Sequence, residues 1–298
     1  MERVLAIDVG TNTVLGAVGE RHGGALSILA DEERIVGLGR GVDRDRRLRP
    51  DRIEAALEAL RAHRTLGRAL GAERVVAAGT SALRDAENRE AFLAPARALL
   101  GAEVEVIAGR REAELTFAGA FVGLGAPPAR SLVVDIGGGS TELVWARGHE
   151  VEHRVSLDVG SVRLFERFLA ADPPETASLA ALDDLLTAAL APLPAPHGRT
   201  LVMLAGTAAS TAMLVRGAVG PSHGQLVRAP DAAALAGVLA RRNAAQRRDL
   251  PGMIAARADV LVAGVRVLCA IARWSGAEHF VVSEGGVRYG LLRAALGV

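Results

Sequence analysis

Two stretches of this sequence share a pattern that constrains the fold more than any other feature. In each, an apolar run ends in Asp-x-Gly and the chain turns at once into a second run: LAIDVGTNTVL at residues 5–15 and VVDIGGGSTELV at residues 133–144. Apolar runs joined by a tight turn of glycines and small polar residues are typical of β-hairpins. Because one hairpin heads each half of the chain, with Asp8 and Asp135 in matching positions, we expect an internal duplication.

The pattern after each hairpin predicts the same order of elements in both halves. The first fifty residues predict a meander of short strands, and from Pro50 apolar residues recur at helical spacing. Alternating strand and helix patterns follow, which implies parallel strands. Residues 123–131, GLGAPPARS, break every period. We therefore expect an N-terminal domain over residues 1–122 and a C-terminal domain over residues 123–298, with the last helix free to pack back on the first domain.

Composition excludes several chemistries. The chain contains no lysine, so it can hold neither a P-loop lysine nor a Schiff-base lysine. Cys269 is the lone cysteine, which excludes a disulfide framework and a thiolate metal cluster. The formal net charge is +1 and aromatic residues make up 3% of the chain, so no nucleic-acid interface is expected. The sequence shows neither a secretory leader nor a bilayer-spanning run, and we expect a cytoplasmic protein without membrane contact.

Glycine is concentrated where phosphate could approach the backbone. Gly137, Gly138 and Gly139 carry no Cβ, so their main-chain N–H groups can form a nest for phosphate oxygens. A third turn, AGTAAS at residues 205–210, follows another apolar run. A single glycine-rich hairpin is more often a plain turn, but two hairpins and a third turn together indicate an actin-like cleft for a nucleotide or phosphate. There Asp135 would hold Mg²⁺ rather than touch phosphate, because two anions repel each other.

Motifs spread over nearly the whole chain carry a family resemblance. In order they are DVGTNT, GTSALRDAENREAFL, IAGRREAELTFAGA, VVDIGGGSTELV, SLDVGSVRL, LAGTAAS, SHGQL, ARADVLVAGVRVL and SEGGVRYGLL. The chain resembles the exopolyphosphatase and guanosine pentaphosphate phosphatase family. The resemblance implies an α/β protein with a duplicated ribonuclease H-like fold of the actin type, its two domains lying around a central cleft. It also implies Mg²⁺-assisted hydrolysis of a terminal phosphoanhydride bond, in inorganic polyphosphate, guanosine pentaphosphate or both.

Two residues correspond to catalytic positions of that family. Glu112 matches the family's catalytic glutamate, and a carboxylate at a helix start can act as base or orient water for in-line attack. Read without the family, Glu112 would only favour the helix N-terminus electrostatically. Arg84 matches an arginine that faces the cleft, where it would neutralise charge developing on the transferred phosphoryl group. The alternative for Arg84 is a salt bridge with Asp85 or Glu87.

The resemblance also implies ligands for metal and phosphate. The carboxylates that would hold the metal or orient water are Asp8, Asp135 and Glu142. The phosphate donors would be Thr11, Asn12, Thr13, Gly137, Gly138, Gly139, Ser140, Gly206 and Thr207. Mg²⁺ is the implied metal, with Mn²⁺ left open, and homodimers are common in the family. Arg163 and Arg288 match family motifs but have weaker claims, because arginines on helices are usually solvated.

Three departures from the family pattern affect the expected substrate. Leu15 stands where many members carry a basic residue, and Arg111 replaces the first acid of the usual Glu-Glu pair, which adds positive charge beside Glu112. The sequence runs to Val298, and we expect this protein to lack the helical domain by which long members of the family hold extended polymer. Short polyphosphate chains or guanosine pentaphosphate are therefore the expected substrates.

Two rival functions stay open at this level. An actin-type small-molecule kinase would use the same hairpins for ATP, but the sequence carries no acceptor signature. A sensor could hold an alarmone or polyphosphate without turning it over, although Glu112, Asp135 and Glu142 disfavour a role without catalysis.

Overall fold

A computed structural model describes residues 2–298. The chain divides into two compact units. The first comprises the residues up to Val122 together with Gly285–Val298, and the second comprises Gly123–Glu284. The last helix is therefore part of the first unit. None of the helices in residues 2–298 combines the length and apolar character that crossing a bilayer requires.

The first unit is a mixed sheet with helices on both faces. Its strands are β1 (Arg3–Val9), β2 (Thr13–His22), β3 (Ala25–Ile35), β4 (Arg74–Gly79) and β5 (Val104–Val106). Its helices are α1 (Val42–Asp45), α2 (Pro50–Ala69), α3 (Ser81–Asp85), α4 (Glu90–Leu100), α5 (Gly109–Ala120) and α12 (Val287–Leu296). The sheet order is β3-β2-β1-β4-β5. The first three strands form an antiparallel meander, and β4 and β5 run parallel to β1.

Strand β1 is apolar almost throughout because helices cover both of its faces. Leu5 and Ile7 pack in the core formed with α2 and α4, whereas Val4 and Ala6 pack against Tyr289 and other residues of α12. Since successive side chains of a strand point to opposite faces, a strand that is covered on both faces must be apolar at its odd and its even positions. The two polar residues of the strand, Arg3 and Asp8, stand at or near its ends, and Asp8 lies where the hairpin turn begins.

The second unit repeats this plan. Its strands are β6 (Ser131–Ile136), β7 (Thr141–Arg147), β8 (Glu150–Leu157), β9 (Thr200–Leu204), β10 (Leu226–Arg228) and β11 (His279–Ser283). Its helices are α6 (Ser161–Phe168), α7 (Thr176–Leu190), α8 (Ala205–Arg216), α9 (Ala229–Ala240), α10 (Ala244–Arg248) and α11 (Leu261–Ser275), with a short 3₁₀ turn at Ala255–Arg257. The core is built from apolar residues of the sheet and of the helices around α11.

The order of this second sheet establishes the duplication. It is β10-β11-β9-β6-β7-β8, so an antiparallel meander (β6, β7, β8) again continues into parallel strands (β9, β11). Strand β10 is an addition that pairs antiparallel with β11 at the sheet edge. Both units thus have the ribonuclease H-like order, which confirms the predicted α/β fold of the actin type.

Candidate active site

The hairpin turn of the first unit, at residues 10–13, is held by hydrogen bonds that come from one side. Gly10 N–H donates to the Thr13 carbonyl at 3.0 Å and closes the turn. The carbonyl of Thr11 accepts from Gly39 N–H at 2.8 Å, and that of Asn12 accepts from the amides of residues 36 and 37 at 2.9 and 2.8 Å. In a trans peptide the C=O and the following N–H point in opposite directions. The amides of Asn12 and Thr13 therefore face away from the segment that holds the turn.

The turn of the second unit is held in the same way, from the start of α6. Gly137 N–H donates to the Ser140 carbonyl at 3.0 Å, as in the first hairpin. The three glycine carbonyls accept hydrogen bonds, with Ser161 N to Gly137 O at 2.9 Å, Val162 N to Gly138 O at 2.8 Å and Arg163 Nε to Gly139 O at 2.7 Å. By the same peptide geometry, the amides of residues 138–140 point away from α6. Successive N–H groups on one side form the concave donor set that binds anions.

Close packing fixes the distance between this turn and α6. A Cβ on Gly160 would lie 2.4 Å from the backbone of Gly138 and Gly139, so residue 160 has room only for glycine. The residue just before α6 is thus matched in size to the turn that it supports.

The two hairpins differ at one equivalent position beside the aspartate that both of them carry. In the register of the first hairpin Asp8 pairs with Leu15, whereas in the second Asp135 pairs with Glu142. Directly paired residues of antiparallel strands share a face, with Cβ atoms about 5 Å apart. The second unit therefore places two carboxylates side by side. Glu142 is 1% exposed, and its Oε1 accepts a hydrogen bond from Ser156 Oγ at 2.7 Å.

Arg84 and Glu112 meet at the carboxyl edge of the first sheet. Arg84 lies on α3, after β4, and Glu112 lies in the first turn of α5, after β5. Arg84 Nη1 donates to Glu112 Oε2 at 2.5 Å and to the carbonyl of Ile107 at 3.0 Å. Glu112 is 7% exposed. The salt bridge of Arg84 is thus with Glu112, rather than with Asp85 or Glu87 as the alternative from sequence had it.

These groups come from one edge of the sheet because β1, β4 and β5 are parallel. The turn at residues 10–13 follows β1, and Thr80 N–H donates to Val9 O at 3.1 Å, which fastens the start of α3 to the end of β1. Arg111, beside Glu112 in sequence, instead pairs with Glu114 at 3.1 Å on a half-exposed surface. The charge of Arg111 is therefore engaged along the helix surface.

The third turn starts helix α8. Thr207 Oγ1 donates to the carbonyl of Ile136 at 3.2 Å, which fastens this helix to the end of β6. The first amides of a helix have no partner within it and carry partial positive charge. Gly206 lies against the buried guanidinium of Arg257, whose Nη1 donates to Gly206 O at 3.2 Å. Phosphate contact by Gly206 and Thr207 stays a prediction.

The carboxylates that the fold brings together suit a hard cation with few protein ligands. Within residues 2–298 no group of three or more His, Cys, Asp or Glu is assembled. Mg²⁺ does not require one, because it takes one or two carboxylates and keeps water and phosphate oxygens as its other ligands. Asp135 with Glu142 offers such a pair. In the first unit Asn12 Oδ1 is buried and accepts no hydrogen bond from residues 2–298, as expected of an oxygen reserved for a ligand. The residues present therefore fit the predicted cation.

Two arginines that the sequence predicted to be exposed to solvent are buried. Arg163 and Arg288 were expected to be solvated, but they are 7% and 6% exposed. Arg288 Nε donates to Asp31 Oδ1 at 2.7 Å, and the Tyr289 hydroxyl donates to Asp31 Oδ2 at 2.6 Å. These contacts join α12 to β3 within the first unit. The sequence feature that could have indicated their burial is an arginine within a short segment rich in apolar residues, as in GSVRLF and GGVRYG.

His223 has a structural contact at the end of the second unit. Its Nδ1 accepts a hydrogen bond from the amide of Glu284 at 3.0 Å, and Ser222 donates to Glu284 Oε1 through both its amide and its hydroxyl. The ring thus helps to fix the point at which the chain leaves this unit.

Duplicated ribonuclease H-like sheets headed by glycine-rich hairpins define a protein of the actin-like class. A family model described as the Ppx/GppA phosphatase family matches residues 17–297. The chain is 37% identical over 318 residues to exopolyphosphatase 2 of Mycobacterium tuberculosis, a match that covers 100% of this chain and 99% of the relative. This protein belongs to the Ppx/GppA phosphatase family.

Solved structures agree with that assignment. The Ppx/GppA enzyme of Aquifex aeolicus superposes with a TM-score of 0.83 at 30% identity, covering 98% of this chain and 99% of the other. An exopolyphosphatase from Cytophaga hutchinsonii gives a TM-score of 0.90 at 27% identity, covering 99% and 98%. The similarity therefore extends over both units.

Proposed function

We propose that this protein is a phosphohydrolase that releases terminal orthophosphate from short inorganic polyphosphate, guanosine pentaphosphate or both. The observation that carries the proposal is the Arg84–Glu112 contact at the sheet edge that also bears the turn at residues 10–13. The name of the Mycobacterium tuberculosis relative, exopolyphosphatase 2, supports polyphosphate as the substrate class.

Substrate binding falls to the backbone turns. The amides of Gly138, Gly139 and Ser140 are held on one side of their turn and suit the oxygens of a phosphate group. Main-chain donors carry no charge that must be screened by a counter-ion, and their orientation is fixed before the ligand arrives. Such preorganised donors stabilise charge on phosphate without reorganising during the reaction.

Glu112 and Arg84 have complementary tasks in the chemical step. The oxygen of water forms a bond to the terminal phosphorus, and the bond from that phosphorus to the bridging oxygen breaks. Glu112 accepts the proton that the water gives up, and the rest of the substrate leaves with the bridging oxygen. Arg84 keeps Glu112 oriented through a charge-assisted hydrogen bond and places a guanidinium next to the developing charge.

Asp135 and Glu142 are the residues of the second unit that would hold Mg²⁺, or Mn²⁺ in its place, and Asp8 is the equivalent candidate carboxylate of the first unit. When bound, the cation neutralises phosphate oxygens and so reduces repulsion between the substrate and these carboxylates. Glu142 is kept in place by Ser156, and Asp135 is kept at the strand end by the register of β6 with β7.

The test is orthophosphate release by the purified protein with Mg²⁺ present. Tripolyphosphate, long-chain polyphosphate, guanosine pentaphosphate and ATP are compared at equal concentrations of terminal phosphate. We expect release from tripolyphosphate or guanosine pentaphosphate that exceeds release from long chains. Tight binding without release would identify a sensor, and transfer from ATP to a small molecule would identify a kinase. Either result would reject the proposed hydrolysis.

A further inference from the structure

Arg163 is the charged side chain that contacts the glycine turn of the second unit. It is the third residue of α6 and is 7% exposed. Its Nε donates to Gly139 O at 2.7 Å, and its own amide donates to Gly138 O at 3.1 Å. The side chain and the backbone of one residue therefore hold two consecutive peptide groups of the turn.

The Gly139 carbonyl shares its peptide group with the amide of Ser140. A hydrogen bond from a charged donor to that carbonyl is shorter and stronger than one from a neutral donor. It also polarises the peptide group, which makes the N–H at the other end a better donor. The guanidinium of Arg163 thus acts on the Ser140 amide through one peptide bond.

In the first unit the equivalent carbonyl accepts hydrogen bonds from neutral backbone amides and not from a charged side chain. Register places Asn12 at the position of Gly139, and the Asn12 carbonyl accepts from the amides of Val36 and Gly37. Asn12 also has a side chain that limits its backbone freedom. Three consecutive glycines have the largest conformational freedom to lose, so the second turn needs a stronger restraint than the first.

We propose that Arg163 is a positioning residue for phosphate binding, which orients and polarises the Gly139–Ser140 peptide so that the Ser140 amide donates to the substrate. The inference rests on the proposed function, because it assigns the turn to the terminal phosphate or its neighbour. It goes beyond that function by tying affinity to a residue that touches the turn rather than the substrate.

Arg163→Met, Arg163→Lys and Arg199→Met form the test set. Methionine keeps most of the buried volume without the charge, and lysine restores the charge without the planar fork. Arg199 is the matched control, since its guanidinium is also buried and donates to the carbonyls of Ala146 at 2.8 Å and Ser131 at 3.4 Å. Those residues lie at the opposite end of the same strands from the turn.

The readouts are KM, kcat and the dissociation constant of tripolyphosphate by calorimetry, with Tm as the measure of folding. Loss of one charge-assisted hydrogen bond should raise KM and the dissociation constant of Arg163→Met by about 10-fold to 100-fold. Arg163→Lys should recover part of the affinity, whereas Arg199→Met should lower Tm with KM within about 2-fold of the wild type.

Equal KM values for Arg163→Met and Arg199→Met would overturn the proposal while leaving the hydrolase in place. A wild-type protein that binds tripolyphosphate without turning it over would reject the hydrolase, and the calorimetric comparison would still decide the role of Arg163. A wild-type protein that neither binds nor hydrolyses tripolyphosphate would overturn both the proposed hydrolase function and the proposed role of Arg163.

Discussion

Arg84 and Glu112 are joined by a hydrogen bond of 2.5 Å between Nη1 and Oε2, although 28 residues separate them in sequence. The same Arg84 nitrogen also donates to the carbonyl of Ile107, two residues before α5 begins. The guanidinium therefore connects α3, the end of β5 and the start of α5. A general base and a cationic stabiliser held as one unit form the core of the proposed mechanism.

Replacing Arg84 should reduce kcat far more than it reduces stability. Arg84→Met removes both the charge and the hydrogen bond that orients Glu112, and we expect kcat to fall about 10²-fold to 10³-fold. Arg97→Met is the matched control, because Arg97 forms an ion pair with Glu103 on a half-exposed surface of the same unit. The control should retain kcat within about 2-fold. Similar losses in both variants would indicate that Arg84 acts only through folding.

Removing one of the paired carboxylates should separate activity from stability. Like charges directly opposite in a hairpin repel each other, so Glu142→Gln should leave Tm unchanged or raise it while turnover falls and the Mg²⁺ concentration for half-maximal rate rises. Ser156→Ala, which removes the hydrogen bond to Glu142, should lower turnover and raise the required Mg²⁺ concentration by smaller amounts. Glu150→Gln on β8 is the exposed control. A parallel loss of Tm and activity in Glu142→Gln would count against a metal role.

Gly160→Ala should displace the turn at residues 137–140. The added Cβ would lie 2.4 Å from turn backbone, which cannot give way as a flexible side chain could. We expect KM for the phosphate substrate to rise at least about 10-fold, with a moderate loss of Tm. Gly237→Ala in α9 meets only the guanidinium of Arg241 at 3.4 Å and is the neutral comparison. Unchanged KM in Gly160→Ala would show that the turn plays no part in binding.

His63 should make the first unit less stable at acidic pH. The ring is fully buried, its Nε2 lies 3.3 Å from Val14 O, and burial lowers its pKa below the usual 6.5. The unfolded chain therefore binds a proton at a higher pH than the folded chain does. The free energy of unfolding should fall as pH drops below about 6.5, by up to about 1.4 kcal/mol per pH unit.

Chemical denaturation between pH 8 and pH 5 measures this dependence. His63→Gln should lose part of the acid sensitivity, whereas His22→Gln, at an exposed position of β2, should keep it. Identical pH profiles for the wild type and His63→Gln would show that another group controls acid stability.

The sequence predicts the fold well because local chemistry and topology agree. Each Asp-x-Gly turn closes through the same hydrogen bond, and the alternating strand and helix patterns predicted the parallel strands that follow each meander. The ribonuclease H-like order itself was implied by the family resemblance. Element bounds are less predictable. The sequence placed Glu112 at a helix start, whereas α5 begins three residues earlier, at Gly109. No side chain caps the N-terminus of α5, so the sequence carried no residue that marked where the helix begins.

Side-chain partners over long separations could not be predicted in the same way. The Arg84–Glu112 contact depends on where β5 joins the sheet, and the position of Arg163 depends on the close approach of Gly160 to the turn. An isolated arginine in sequence gives no sign of the carbonyl it will bind. The general expectation that arginines on helices are solvated was therefore wrong for Arg163 and Arg288.

The most direct test of the account compares the wild type with Glu112→Gln in the presence of Mg²⁺ and the best substrate of the panel. Glutamine keeps the size of the side chain but cannot accept the proton of the attacking water. We predict that phosphate release falls by at least about 10³-fold while the dissociation constant of tripolyphosphate stays within about 5-fold. Release by Glu112→Gln at nearly the wild-type rate would contradict the assignment of Glu112 as the base.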